Sequence, residues 1–483
     1  MSSKKSGGLI SNLIWKFAER ISAQLVTLIV SVVLARILDP SDYGVIAIVN
    51  IFIALANVFV VDGFGSALIQ KKDADALDFS SVLYFNVAFS VALYFVLFFA
   101  APYISDFYGE GYEILTPVLR VLGLRLILAA ANTVQHSYVA KKMIFRKYFW
   151  ATLIGTSVSG IVGIAMAYSG FGVWSLVAQY LTGTAVNTLV LVISLHRLPI
   201  LAFSFKRLRE LLKFGARMLG SGLLIMGYQE LRALIIGKLY SSKDLAFYDK
   251  GKQFPSLIVT NINTSIGAVL FPKMANEQDD LNKIKETARN SIRFSSFIMS
   301  PLMLGMLAVA EPFVRVVLTE KWLPCVPLLQ LFCIVFLFQP IHTANMQAIK
   351  AIGRSDVYLR LEIIKKAIEL VALIAVMQIS VNAIVVSMAI LTAGFTFINA
   401  FPNRKLISYT YKEQAEDILP NVLKAGVMAV VVYAINFVPF SPLVKLLVQV
   451  ACGGVLYIVI CIVTHSKEFS YVINLLKSKL KKA

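Results

Sequence analysis

Positive charge set inside apolar sequence is the chemistry this chain offers. Lys16, Arg20 and Gln24 recur every four residues and share one helix face. Lys213 and Arg217 repeat the pattern, and Arg217, Tyr228 and Arg232 fall on a narrow arc of the same run. Tyr248, Lys252 and Asn263 make another stripe, Arg125, Asn132, Gln135 and His136 another, and Gln339, His342 and Asn345 one more. Acids in such runs are fewer: Glu19, Asp62, Glu230 and Glu369. A guanidinium takes a phosphate or carboxylate through two parallel hydrogen bonds. The inventory therefore suits an anionic solute and offers little to a cation. The candidate substrate-binding residues are Arg20 and Arg217 foremost, with Lys16, Lys213, Arg125, Arg232 and Lys252. Asp62 and Glu230 are the candidates for ion coupling. Plainer roles compete: Lys16, Arg120 and Lys365 lie near run ends and can snorkel, while Glu230 with Arg232 and Lys365 with Glu369 are spaced for structural ion pairs.

No catalytic constellation accompanies these cations. The sequence has no HExxH, no Walker loop and no G-x-S-x-G elbow, so neither a metal nor a cofactor is expected, nor an enzyme. Gly63-Phe64-Gly65 and Gly170-Phe171-Gly172 read as helix-end turns. Cys325, Cys333, Cys452 and Cys461 lie in or beside apolar runs without CxxC spacing and read as reduced, small hydrophobes.

The elements that must hold these residues follow from composition. Of 483 residues, 58% are hydrophobic and 15% charged, against about 25% charged in soluble domains. That excludes a soluble enzyme, a disordered chain and a disulfide scaffold, and leaves a polytopic membrane protein. Apolar runs predict fourteen transmembrane helices: 11–37, 42–69, 78–102, 114–140, 148–168, 172–195, 209–239, 244–272, 290–311, 324–350, 357–378, 382–404, 416–437 and 442–464. The net charge of +19 is no nucleic-acid signature, because lysines and arginines concentrate in alternate loops. Lys71 and Lys72, then Lys141, Lys142, Arg146 and Lys147, then Arg404, Lys405 and Lys412 stand in one set, and 102–113, 168–172 and 378–382 are bare. The positive set stays in the cytoplasm, which puts both termini inside. The 466–483 tail reads as a basic amphipathic helix on the anionic leaflet, with Phe469, Val472, Ile473, Leu476 and Leu480 on one face.

The chain also repeats itself. Lys16-Phe17-Ala18-Glu19-Arg20 matches Lys213-Phe214-Gly215-Ala216-Arg217, Phe64 to Asp73 matches Phe271 to Asp280, Pro117-Val118-Leu119 matches Pro327-Leu328-Leu329, and Gln135 matches Gln347. The offset grows from 197 to about 212 along the chain. Each copy holds six spans, so both enter the membrane in the same sense, as pseudo-symmetric lobes of a carrier. The expected organisation is an N-terminal lobe (1–196), a C-terminal lobe (197–406), spans thirteen and fourteen (407–465) and the tail (466–483). In that arrangement Arg20 and Arg217 face one cavity from opposite lobes.

The run Leu38-Asp39-Pro40-Ser41-Asp42-Tyr43-Gly44, followed by Gly63-Phe64-Gly65-Ser66-Ala67-Leu68-Ile69-Gln70-Lys71-Lys72-Asp73, resembles bacterial polysaccharide exporters. These are flippases of lipid-linked oligosaccharides, of the O-antigen, colanic-acid and teichuronic-acid type, in the superfamily of multidrug and toxin extruders and lipid II flippases. The resemblance covers nearly the whole chain. It implies an all-α integral membrane fold and an anionic partner, an undecaprenyl-pyrophosphate-linked oligosaccharide flipped across the bacterial cytoplasmic membrane by alternating access. Besides membrane lipids, a polysaccharide polymerase and chain-length machinery are candidate partners. Two alternatives remain open here. A drug extruder of the same superfamily would prefer an acidic cavity. A polytopic glycan ligase or polymerase would need a large external loop, which the chain lacks.

Overall fold

In a computed structural model the chain is described over residues 3–61, 64–71, 73–195 and 202–480. The described residues form nineteen α-helices and two short 3-10 turns, with no strand. Packing divides the chain into two compact units, Met1–Ala246 and Phe247–Ala483. The first contains α1 (Ser3–Ile37), α2 (Pro40–Val61), α3 (Phe64–Gln70), α4 (Ala76–Tyr108), α5 (Leu115–Gly123), α6 (Arg125–Lys142), α7 (Phe145–Tyr168), α8 (Val173–Leu195) and α9 (Phe205–Leu239). Helix α10 (Ser242–Asn276) begins in the first unit and runs into the second. The second continues with α11 (Leu281–Ala308), α12 (Ala310–Val317), α13 (Val326–Leu337), α14 (Gln339–Ala351) and α15 (Ser355–Val376). It ends with α16 (Val381–Leu406), α17 (Tyr411–Ala434), α18 (Pro442–Val463) and α19 (Lys467–Leu480).

Among the described residues, twelve helical stretches are long and apolar enough to cross a membrane. The two expected spans missing from those twelve are α9 and α15, whose many charges spoil the average. Both are nonetheless long helices at the expected places, and the architecture fits fourteen spans. Helix α9, which opens the second sequence repeat, packs on α2 and α4 within the first unit.

Lipid tails are as apolar as leucine, so close packing and hydrogen bonds, rather than the hydrophobic effect, hold such helices together. Small residues do this between α7 and α8: a Cβ on Gly155 would stand 3.2 Å from the Gly183 carbonyl oxygen. In the second unit, charge does it between α11 and α17. Asp417, fully buried, accepts from Arg289 Nε at 2.8 Å, Arg293 Nε at 2.5 Å and the Tyr409 hydroxyl at 2.8 Å. Lys285 adds a pair to Glu413 at 2.8 Å. The amphipathic tail forms α19, and its Tyr471 ring lies 5.1 Å from Phe294 of α11.

The two motifs that carry the family resemblance are structural ties in the first unit. In Asp39-Pro40-Ser41, the Asp39 carboxylate accepts from the Ser41 amide at 2.9 Å and its hydroxyl at 2.7 Å, and pairs with Lys243 at 3.4 Å. Burial is the largest single influence and raises the Asp39 pKa, but the Ser41 hydrogen bonds and Lys243 together outweigh it, holding the carboxyl below its ordinary range. Gly44 sits against the Ser242 backbone so closely that a Cβ would fall 1.9 Å from its carbonyl oxygen. At the other end, Gly65 touches α6: the Ser137 hydroxyl donates to the Gly65 carbonyl at 3.2 Å, and Lys141 donates to the Leu68 carbonyl at 3.2 Å. Lys71 pairs with the buried Asp78 at 2.7 Å, and Arg207 at the start of α9 reaches the same carboxylate at 3.6 Å.

The internal repeat is visible in one shared irregularity. Spans four and ten are each broken once, at Leu124 between α5 and α6 and at Phe338 between α13 and α14. The break positions lie within two residues of the register that aligns Gln135 with Gln347. Pro340, without an amide hydrogen, interrupts the second ladder. In the first, Gly123 lets α5 approach α4, since a Cβ there would stand 3.2 Å from the Tyr94 ring.

Gly44→Ala is therefore expected to destabilise the protein by at least about 1–3 kcal/mol through overpacking against backbone. Gly394→Ala, where a Cβ meets nothing within 4 Å, is the matched control. Thermal unfolding in detergent should show a lower midpoint for the first substitution only.

Candidate functional site

Each unit holds a polar cavity beside its broken span. In the first unit the cavity is about 420 Å³ and lies between α6 and α8, with Asn57 of α2 and Tyr148 of α7 completing its wall. Arg125, the first residue after the break, points its guanidinium here. Its Nε donates to the Thr184 hydroxyl at 3.1 Å, and the group lies 5.2 Å from the Tyr180 ring centroid. Two turns further on, Asn132 donates to Asn187 Oδ1 at 2.7 Å and to the Thr188 hydroxyl at 3.2 Å. His136 closes the row, edge-on to Tyr148 at 4.8 Å. The i, i+3, i+4 spacing of these residues is what puts them on one wall. Among the described residues, no carboxylate lines this cavity.

In the second unit a cavity of about 340 Å³ follows the Phe338 break, between α14, α15 and α16. Gln339 and His342 mirror the first cavity's row, and His342 shares a hydrogen bond with the Thr396 hydroxyl at 3.1 Å. Two of its three lysines are matched by acids, and Lys350 lies 4.1 Å from the Tyr358 ring centroid. Lys365 pairs with Glu362 at 2.6 Å and Lys366 with Glu369 at 3.2 Å. The expected Lys365–Glu369 pair is thus replaced by two neighbouring pairs at i, i+3 spacing, because Lys365 points back toward the preceding turn.

The structure places the sequence candidates unevenly. Lys16 is exposed, with its ammonium 5.3 Å from the Phe145 ring centroid and within electrostatic reach of His136. Arg20 is half-buried beside Glu19, whose carboxylate also accepts from Thr152. Lys16, His136, Tyr148 and Arg125 thus belong to one region of the first unit. Arg232 and Glu230 are half-buried in α9, and Arg232 reaches the Tyr228 hydroxyl at 3.5 Å. Lys252 is exposed; the buried cation of α10 is Lys250, 5.7 Å from the Trp322 ring centroid and donating to Gln253 at 3.1 Å. Asp62 and the side chains of Lys213 and Arg217 lie outside the described residues. The four cysteines are free.

Sequence reasoning missed Asn57, Thr184, Asn187 and the Arg289–Arg293–Asp417 cluster. The cluster had a legible signal: Lys285, Arg289 and Arg293 step by four residues along α11, as Glu413 and Asp417 do along α17. The amides had none beyond their isolation in apolar runs.

Comparison with known proteins followed the geometry. The profile of a family described as polysaccharide biosynthesis protein matches residues 33–327. The teichuronic acid biosynthesis protein TuaB of Bacillus subtilis is 22% identical over 426 residues, covering 86% of this chain and 87% of that protein. The succinoglycan biosynthesis transport protein ExoT of Rhizobium meliloti is 25% identical over 302 residues, 62% of this chain and 61% of that one. Among solved structures, the lipid II flippase MurJ in an inward closed conformation superposes with a TM-score of 0.73 at 16% identity, covering 94% of this chain and 99% of that one. That likeness establishes the fold.

Breaking one partner of the Lys365–Glu362 pair strands the other charge, at a cost of about 2 kcal/mol for a partly exposed pair. Lys365→Met should lower the unfolding midpoint, and Lys365→Met with Glu362→Gln should recover most of it in the same melting assay.

Proposed function

The chain belongs to the polysaccharide biosynthesis protein family, and from that premise we propose that it flips lipid-linked oligosaccharides across the bacterial cytoplasmic membrane. It is a multi-span membrane protein and a transporter rather than an enzyme. The proposal concerns the cargo: a glycan head group carried on a polyprenyl pyrophosphate, destined for a surface polysaccharide. One observation carries it. The first unit presents Arg125, with Lys16 and Arg20 in the same unit, to a polar cavity that no carboxylate of the described residues lines.

The reasoning is electrostatic. A cation at membrane depth costs several kcal/mol unless something answers it. An anionic head group answers it during each cycle, and guanidinium groups do so with two directed hydrogen bonds each. Arg20, with its repeat mate Arg217, Lys16, Lys213, Arg232 and Lys252, would receive the pyrophosphate, while the prenyl chain stays in lipid. Alternating access would then release the head group on the far side, with both termini cytoplasmic. An extruder of organic cations would find Arg125 where it needs an acid.

Arg20→Ala with Arg217→Ala is expected to reduce flipping of a pyrophosphate-linked oligosaccharide in proteoliposomes by about tenfold or more, the worth of one or two charge-assisted contacts. Membrane insertion should be unchanged. Full flipping by the double variant would remove these arginines from the site, and no flipping by the wild type under any ion gradient would remove the cargo assignment.

A further inference from the structure

Arg125 stands at mid-span, half-buried, with one donor used and two left over. Its Nε is taken by Thr184 and its face by Tyr180. Its two terminal amino groups make no hydrogen bond or ion pair among the described residues. A guanidinium in this state is costly at membrane depth and is poised for a planar, bidentate anion. Glu19, an acid of the same unit, is outside the lining and is engaged by Thr152 and by the cations of its own helix, Lys16 and Arg20.

The rest of the wall is neutral and suited to hydroxyl groups. Asn57 Oδ1 is buried with no hydrogen-bond partner, an acceptor without a donor. Asn132 and Asn187 are held rigid by each other, by Thr188 and by a 3.4 Å contact from Asn187 to Thr152. The His136–Tyr148 pair supplies a flat apolar edge. The volume of about 420 Å³ falls in the range of about 300–1,000 Å³ usual for small-molecule pockets.

We propose that this cavity is a subsite for a carboxylated sugar residue of the transported glycan, with Arg125 binding the carboxylate and Asn57 accepting from a ring hydroxyl. The inference rests on the transport reading above and deepens it. One guanidinium among amides and hydroxyls matches one negative charge on a polyol. A pyrophosphate carries more charge than a single arginine in a neutral wall can answer. The second unit's cavity holds Lys350 over the Tyr358 ring, but Glu362 and Glu369 also stand in its wall and repel a carboxylate, so it is excluded as a second copy of the subsite.

The test is binding of glucuronate, glucose and inorganic phosphate to the purified full chain in nanodiscs, read by saturation-transfer NMR. Wild type should bind glucuronate about tenfold more tightly than glucose, the minimum worth of a charge-assisted pair. Arg125→Gln should bring glucuronate to the level of glucose, and Arg125→Lys should keep part of the preference. Asn57→Ala should weaken both sugars together. A purely structural arginine would leave that selectivity ratio unmoved. Equal binding of the two sugars by the wild type overturns the proposal, whatever the variants do. So does an undiminished preference in Arg125→Gln. Displacement of glucuronate by phosphate also overturns it, since that marks a general anion site. The transport reading fails separately: loss of all flipping in proteoliposomes leaves the sugar preference measurable.

Discussion

A charge placed where only hydrocarbon is available must be answered by another charge, by a polar cavity or by a ligand, because an unanswered ion there costs several kcal/mol. Several ionisable groups of this protein can be sorted by how that demand is met. Asp417 meets it three times over, with Arg289, Arg293 and Tyr409 around one buried carboxylate. Lys365 and Lys366 meet it with glutamates one turn away. Asp78 meets it with Lys71 and Arg207. Arg125 meets it only in part, with a hydroxyl and an aromatic face. What separates function from framework here is therefore the presence of a remainder. The saturated groups tie helices together, and the unsaturated one faces a space.

The framework that holds Arg125 in place is built from close backbone approaches more than from large apolar contacts. Gly155 and Gly183 bring α7 onto α8, which fixes Thr184 and Asn187 opposite α6. Gly65 and Ser137 pin α3 to the same α6. Gly44 and Asp39 lock the start of α2 to the turn that opens α10. Where lipid supplies no hydrophobic drive between helices, such contacts are the means of specifying one arrangement. It follows that a sequence motif can mark a family through its packing rather than its chemistry. Leu38 to Gly44 and Gly63 to Asp73 are of that kind: Asp39, Ser41, Gly65, Leu68 and Lys71 are spent on caps and ties, and no described residue of either run lines the two cavities.

The spans were legible because twenty-odd apolar residues can do little else, and the polar arcs were legible because helical periodicity is rigid. Of the row Arg125, Asn132, Gln135 and His136 read from spacing alone, Arg125, Asn132 and His136 share one cavity wall, and Gln135 is buried outside the lining. Three things escaped. Partner choice did, since Lys365 can reach acids on either side and its rotamer decides which. The breaks at Leu124 and Phe338 did, because a one-residue break leaves no mark on an apolar run, although Pro340 hinted at one of them. The wall contributed by other helices did as well: Asn57 and Asn187 meet Arg125 only through tertiary packing, and an isolated amide in an apolar segment carries no address.

Duplication gives these escapes a common explanation. A repeated chain carries the same backbone twice, including a mild irregularity such as these breaks, where Leu124 and Phe338 keep right-handed helical dihedrals, and the two copies differ in their side chains. Both copies kept the break and the polar row behind it, yet they resolved the charge demand in opposite ways. Glutamates of α15 stand in the second cavity and pair with two of its three lysines. The first cavity received amides and hydroxyls from α2 and α8, which cannot neutralise an arginine. Had the breaks served only to let helices bend, both cavities would be expected to fill with apolar or self-paired groups, the cheaper outcome in each place. A half-answered guanidinium facing a space without a carboxylate among the described residues is the arrangement that the proposed ligand-dependent cycle requires: the charge is tolerable when the space is wet, and satisfied when the anion is present.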